Sequence, residues 1–175
     1  MVLNPSYSYP GKQDETSGSG VALLLIFLFT FNECQHVFGR ALSIFNLVPD
    51  FMLATAVACG VFRGREQGFW LGFFCGLLQD LASAPGTSFG QLSLAKMLIA
   101  WSVGCLSSSV SKTFVLVPFV LIGLATVVNG VIVALFSSSL SELTFYSVSK
   151  AIFVNLLYGI PLYYLVGILP GRRST

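Results

Sequence analysis

Apolar runs joined by short polar links dominate the chain. Residues 1–20 are polar and turn-rich, with Pro5, Pro10, Gly11, Gly18 and Gly20, and residues 1–19 read as a flexible tail. The apolar run Val21–Phe31 predicts a first helix over 20–39, with Asn32, Glu33 and His36 on one side of its polar outer end. The run has the length of a signal-peptide core, but no small-x-small cleavage site follows at once, so it reads as a retained span. The next stretch, Ala41–Phe62, is interrupted at Pro49-Asp50. Proline is tolerated in the first turn of a helix, and an acid there complements the positive end of the dipole. A second helix is therefore predicted to start at Pro49, with Asn46 as a candidate cap; residues 41–48 then lie at the interface or belong to a broken helix.

The uncharged stretch Phe51–Phe62 spans only about 18 Å at 1.5 Å per residue. That is short of the roughly 30 Å hydrocarbon core, so this helix needs charged ends that reach inward or a shield of protein. Arg63-Gly64-Arg65-Glu66 reads as a tight charged turn. Further helices are predicted over Gln67–Ala82, Phe89–Leu106, Thr113–Leu140 and Ala151–Leu169, closed by Pro170-Gly171-Arg172-Arg173. Runs this long and this poor in polar residues exclude a β-barrel with alternating faces.

Composition narrows the class. The chain has 175 residues, 55% hydrophobic and 9% charged, against about 25% charged in soluble domains. A soluble globule and a disordered chain are both excluded. The fold class expected is all-α: a polytopic membrane protein, one compact bundle of about six transmembrane helices over 20–170, with a short basic tail over 171–175. With the N-terminus in the cytoplasm, the inner segments hold Lys12, Arg63, Arg65, Lys112, Arg172 and Arg173, and the outer ones Arg40, Lys96 and Lys150. This excess places both termini in the cytoplasm by the positive-inside rule. No Lys/Arg cluster exceeds a pair, so nothing points to nucleic acid. Cys34, Cys59, Cys75 and Cys105 form no C-x-x-C, and His36 is the single histidine, so no metal or cofactor is expected. P-loop, HExxH and GxSxG motifs are absent, and Asp80 lacks a second aspartate on its face, which argues against a two-metal lipid-headgroup transferase and against an enzyme generally.

Three sets of residues stand out. Gly68, Gly72 and Gly76 recur every four residues and share one helical face, which Asp80 continues. Small residues let helices approach closely in lipid. This stripe is a packing surface within the bundle, with Ala54 and Ala58 of the second helix as its counterpart, or a docking surface for another protein's transmembrane helix, or both on different sides. Asp50, Asp80 and Lys96 are charges in or beside apolar spans, where charges are costly and usually paired. Asp80 and Lys96 are candidate partners across the 83–90 turn; alternatively Lys96 snorkels to the outer headgroups and Asp50 caps its helix. Asn129 and Asn155 lie inside apolar spans and are expected to hydrogen-bond between helices.

The ordered set Pro49-Asp50, Arg63-Gly64, Gly68, Gly72-Phe73, Gly76-Leu77-Leu78-Gln79-Asp80, Gly86 and Gly90 resembles the MreD family of rod shape-determining membrane proteins. The stretch covers about a quarter of the chain, and length and helix count agree over the rest. The long polar tail and Lys96 depart from the family pattern. The resemblance implies a multi-pass protein of the bacterial inner membrane, surrounded by lipid, within the cell-elongation machinery. It implies a non-catalytic scaffold that binds the transmembrane helix of MreC and helps regulate peptidoglycan synthesis, with MreB, RodA and its partner transpeptidase as indirect partners. It also implies a bundle similar to the substrate-binding subunits of energy-coupling-factor vitamin transporters. The alternative function is such a small-molecule binding subunit, which requires a polar pocket within the membrane.

Overall fold

The structure is a computed structural model that describes residues 26, 27, 29–31, 33, 35, 37, 43, 44, 47–83, 89–109, 116–136 and 144–168. The terminal tails, Asn32, Cys34, His36, Arg40, Asn46, Gly86, Lys112 and Leu169, and the expectations that fall on them, lie outside this set. The described residues are helical apart from short connections, in five helices. The first, α1, lies within residues 26–37. It is followed by α2 (Phe51–Ala82), α3 (Gln91–Leu106), α4 (Leu116–Phe136) and α5 (Phe145–Ile168). Residues 44 and 47 exchange two backbone hydrogen bonds at 3.1 and 3.0 Å, so the described residues of the 41–48 segment pair as an antiparallel bridge and are not helical.

α2 is folded in two. Gly64 lies at φ 81, ψ −175, inside the Arg-Gly-Arg-Glu segment. Only glycine adopts this region without strain. Beyond it the chain doubles back: Gly68 comes to lie against Gly60, and Gln79 reaches Asp50. The arms over 51–63 and 65–82 are thus antiparallel, and the charged turn expected from sequence is the fold point. α3 then runs antiparallel to the second arm, with Leu92 and Ser93 beside Gly76, Ala100 beside Gly72, and Gly104 beside Arg65.

The first arm is the centre of the molecule. Every residue from Phe51 to Val61 is buried. α3 covers it at Gly60 through Ala100 and Val103, and α5 covers it at Ala54 through Gly159. Tyr163 packs on Phe62 with ring centroids 4.9 Å apart and planes tilted by 50°, and Phe31 of α1 meets Phe51 edge-on at 5.4 Å. Protein, not lipid, therefore surrounds the helix whose uncharged stretch is too short to cross a bilayer unshielded. This pillar explains why its sequence is apolar on all sides.

The outside is apolar as well. Trp70, Phe74, Leu98, Trp101, Phe119, Leu124, Phe153 and Leu165 are exposed, while Asp80, Gln91, Ser93, Lys96, Thr126 and Asn155 are buried. That arrangement suits a solvent of hydrocarbon and is wrong for water. α4 and α5 are long and apolar enough to cross a membrane. α5 begins at Phe145, not at Ala151 as expected, because Thr144 offers its Oγ1 to the Ser147 N–H at 3.2 Å and starts the helix earlier. The Lys150 ammonium then falls within the helix, 3.9 Å over the Tyr146 ring.

Candidate functional site

The candidate residues of α2 and α3 divide into a polar cluster at one end of the bundle and a stripe of close packing below it. The cluster starts from Pro49 and Asp50. Pro49 is buried but precedes the helix; Asp50 is the N-cap, and its Oδ1 accepts the Leu53 N–H at 2.9 Å. The expected start at Pro49 is corrected by two residues, because an aspartate oxygen satisfies a free N–H of the first turn and proline cannot supply such an acceptor.

Asp50 does more than cap. Its Oδ1 also accepts from Gln79 Nε2 at 3.2 Å, across the hairpin. Its Oδ2 lies 2.9 Å from Lys96 Nζ. The lysine side chain is 0% exposed and the aspartate side chain 17%. The contact is an ion pair by distance. The Asp50 backbone N–H donates to Asn155 Oδ1 at 2.9 Å, and Asn155 Nδ2 donates to Thr126 Oγ1 at 3.1 Å. Both arms of α2, α3, α4 and α5 therefore meet at one network. Asn155 bonds between helices as its position in an apolar span suggested, whereas Asn129 Oδ1 is buried without a hydrogen-bond partner among the described residues.

The expected pairing of Lys96 with Asp80 is corrected. Asp80 Oδ1 accepts the Leu92 N–H at 3.2 Å, and Oδ2 accepts the Ser93 N–H at 2.9 Å and the Ser93 hydroxyl. The reason is local: α3 opens at Gly90, which has no side chain to cap it, so its free N–H groups recruit an acid from the neighbouring arm. Asp80 is thereby committed to the start of α3, and Lys96 turns to Asp50.

The glycine stripe faces α3. A Cβ on Gly76 would lie 2.3 Å from Leu92 O and Ser93 Cα, and one on Gly72 would lie 2.6 Å from Lys96 O. At Gly68 the nearest atoms are Gly60 Cα at 2.9 Å and Ala100 O at 3.1 Å. The groove is thus filled by this chain's own helix, which leaves no room there for a partner's. Ala54 and Ala58 are buried in the pillar, but Ala54 faces Gly159 of α5 and not the stripe, because the fold at Gly64 brings Gly60 to Gly68. Glu33 is exposed within α1. No group of three or more His, Cys, Asp or Glu gathers as a metal site among the described residues.

Sequence reasoning missed Gln79, Ser93 and Thr126 as partners of the cluster. Gln79 carried the clearest signal, since it directly precedes Asp80 at the apolar end of the second arm.

No curated protein and no solved structure matches the chain at a significant level. The family model of the rod shape-determining protein MreD does match, over residues 16–170. That span takes in the pillar, the glycine stripe and every helix described above, and the chain belongs to the MreD family of rod shape-determining proteins.

Proposed function

We propose that this protein is a non-catalytic scaffold of the bacterial cell-elongation machinery, holding the membrane helix of MreC and so helping to regulate peptidoglycan synthesis. Family membership carries the reading: MreD proteins determine rod shape and are not known as enzymes. The apolar exterior supports a multi-pass protein of the inner membrane. In this reading α1, the two arms of α2, α3, α4 and α5 make six crossings, with both termini cytoplasmic by the Lys/Arg distribution. The architecture would then be similar to that of energy-coupling-factor substrate-binding subunits. MreB, RodA and its partner transpeptidase are reached through MreC.

Gly68, Gly72, Gly76, Ala54 and Ala58 act indirectly here. They set the spacing of the pillar, second arm and neighbouring helices, and thereby the shape of the outer faces on which a partner helix docks. Pro49, Asp50 and Asp80 fix the helix starts at one end, and Lys96 joins α3 to them.

The test is purification of the tagged protein from native membranes in mild detergent. A stoichiometric bitopic protein with a large periplasmic domain is the expected companion. Recovery with an ATPase module and a bound small molecule would replace the scaffold by a transporter subunit.

A further inference from the structure

We infer that Asp50 and Lys96 form a charge lock between the pillar and α3, and that Asp50 needs its negative charge in this chain because Lys96 is there. The two oxygens of Asp50 divide the work. Oδ1 accepts from the Leu53 N–H and Gln79 Nε2, tasks that any carbonyl oxygen performs. Oδ2 faces the ammonium alone among the contacts described. Lys96 has no exposed side-chain surface, so no water solvates it, and the outside of the bundle at this level is apolar. A buried cation without a counter-ion is strongly destabilising.

Other acids do not serve. Asp80 is held by the start of α3, Glu33 is exposed within α1, and Glu66 is exposed at the turn beside Gly64, the opposite end of the hairpin from Asp50. Asp50 is thus the counter-ion of Lys96 among the described acids. The position of the lysine explains what the pair holds. Its backbone carbonyl lies against Gly72 of the second arm, while its ammonium reaches the head of the first. One residue of α3 therefore spans both arms, and the ion pair fixes α3 along its axis as well as against the hairpin.

The lock separates from capping by substitution. Asp50→Asn keeps an acceptor oxygen for Leu53 and Gln79 but leaves the ammonium alone. Lys96→Met keeps the length of the stem and removes the charge, while the partly exposed Asp50 retains access to water. The full-length tagged chain, extracted from membranes in mild detergent, is scored by the fraction that remains monodisperse on heating. D50N is expected to lower the folded-to-unfolded ratio by more than about tenfold, and K96M by less. The double variant D50N/K96M is expected to return to the level of K96M. That recovery, in which a second substitution repairs the first, is not produced by two independent structural losses. If D50N is too unstable to recover from membranes, the yield of the double variant decides. A double variant no better than D50N, or D50N as stable as the parent, would overturn the lock.

Discussion

Gly76→Ala should harm this protein although alanine is the better helix former. The new Cβ would meet Leu92 O and Ser93 Cα at 2.3 Å and Ser93 N at 2.5 Å, all of them backbone atoms. No rotamer change relieves them, so α3 must retreat by about 1 Å to reach ordinary contact, at an overpacking cost near the upper end of the usual 1–3 kcal/mol. Helix propensity returns about 1 kcal/mol in favour of alanine. The net loss is then about 2 kcal/mol, or about thirtyfold in the folding equilibrium. For a chain of this length that is a fall of roughly 4–8 °C in the unfolding midpoint. Gly123→Ala is the matched control, because its Cβ would meet only Ile152 Cγ2, at 3.8 Å. There the propensity term acts alone, and the midpoint should hold or rise. Both variants are measured in one detergent by heating and size-exclusion chromatography. A Gly76→Ala variant as stable as the parent would refute the claim that the stripe sets the α2–α3 distance.

Further outcomes follow from single contacts. Gly64→Ala has open space around the new Cβ but sits at φ 81; it should cost about 1–3 kcal/mol from backbone strain alone, read as a lower thermal midpoint. Asp80→Ala strips the start of α3 of the acceptor for Leu92, Ser93 and the Ser93 hydroxyl; a loss of about 1–3 kcal/mol is expected, with faster amide exchange confined to the first turn of α3. Asn155→Leu keeps the volume but leaves the Asp50 N–H without its acceptor; it should destabilise by about 1–3 kcal/mol, and by a similar amount in a background that carries Asp50→Asn, because that substitution keeps the backbone N–H.

Local signals were legible in the sequence and distant ones were not. The Arg-Gly-Arg-Glu segment marked the fold of α2, because charge and a glycine together end an apolar helix. The apolar character of residues 51–62 on every side, with too short a span, already required a protein shield. The glycine spacing revealed a face for close approach but not its occupant, since a stripe of small residues carries no information about which helix fills it. Lys96 was matched to Asp80 because the two are near along the chain. Its actual partner is fixed by the antiparallel arms, which bring Asp50 and Gln79 together, and by the uncapped start of α3, which takes Asp80 away. Those are properties of the assembled bundle. The early start of α5 was missed because Thr144 lies in a polar link, where a capping hydroxyl looks like any other loop residue.

The encased pillar has a consequence for biogenesis. A helix of about 18 Å with no charge in its middle is a poor substrate for stable insertion by itself. Beyond α1 and the second arm of α2, its covering comes from α3, α4 and α5, all of which are synthesised after it. The nascent hairpin must therefore wait, at the membrane surface or beside the insertion machinery, until later helices arrive to enclose it. Truncation after α3 would leave the pillar without Gly159, Tyr163 and Ile122 against it. The last helices made would then be the ones that commit the first half of the protein to its place, and degradation of truncated chains, followed by pulse labelling, would report the moment at which that commitment occurs.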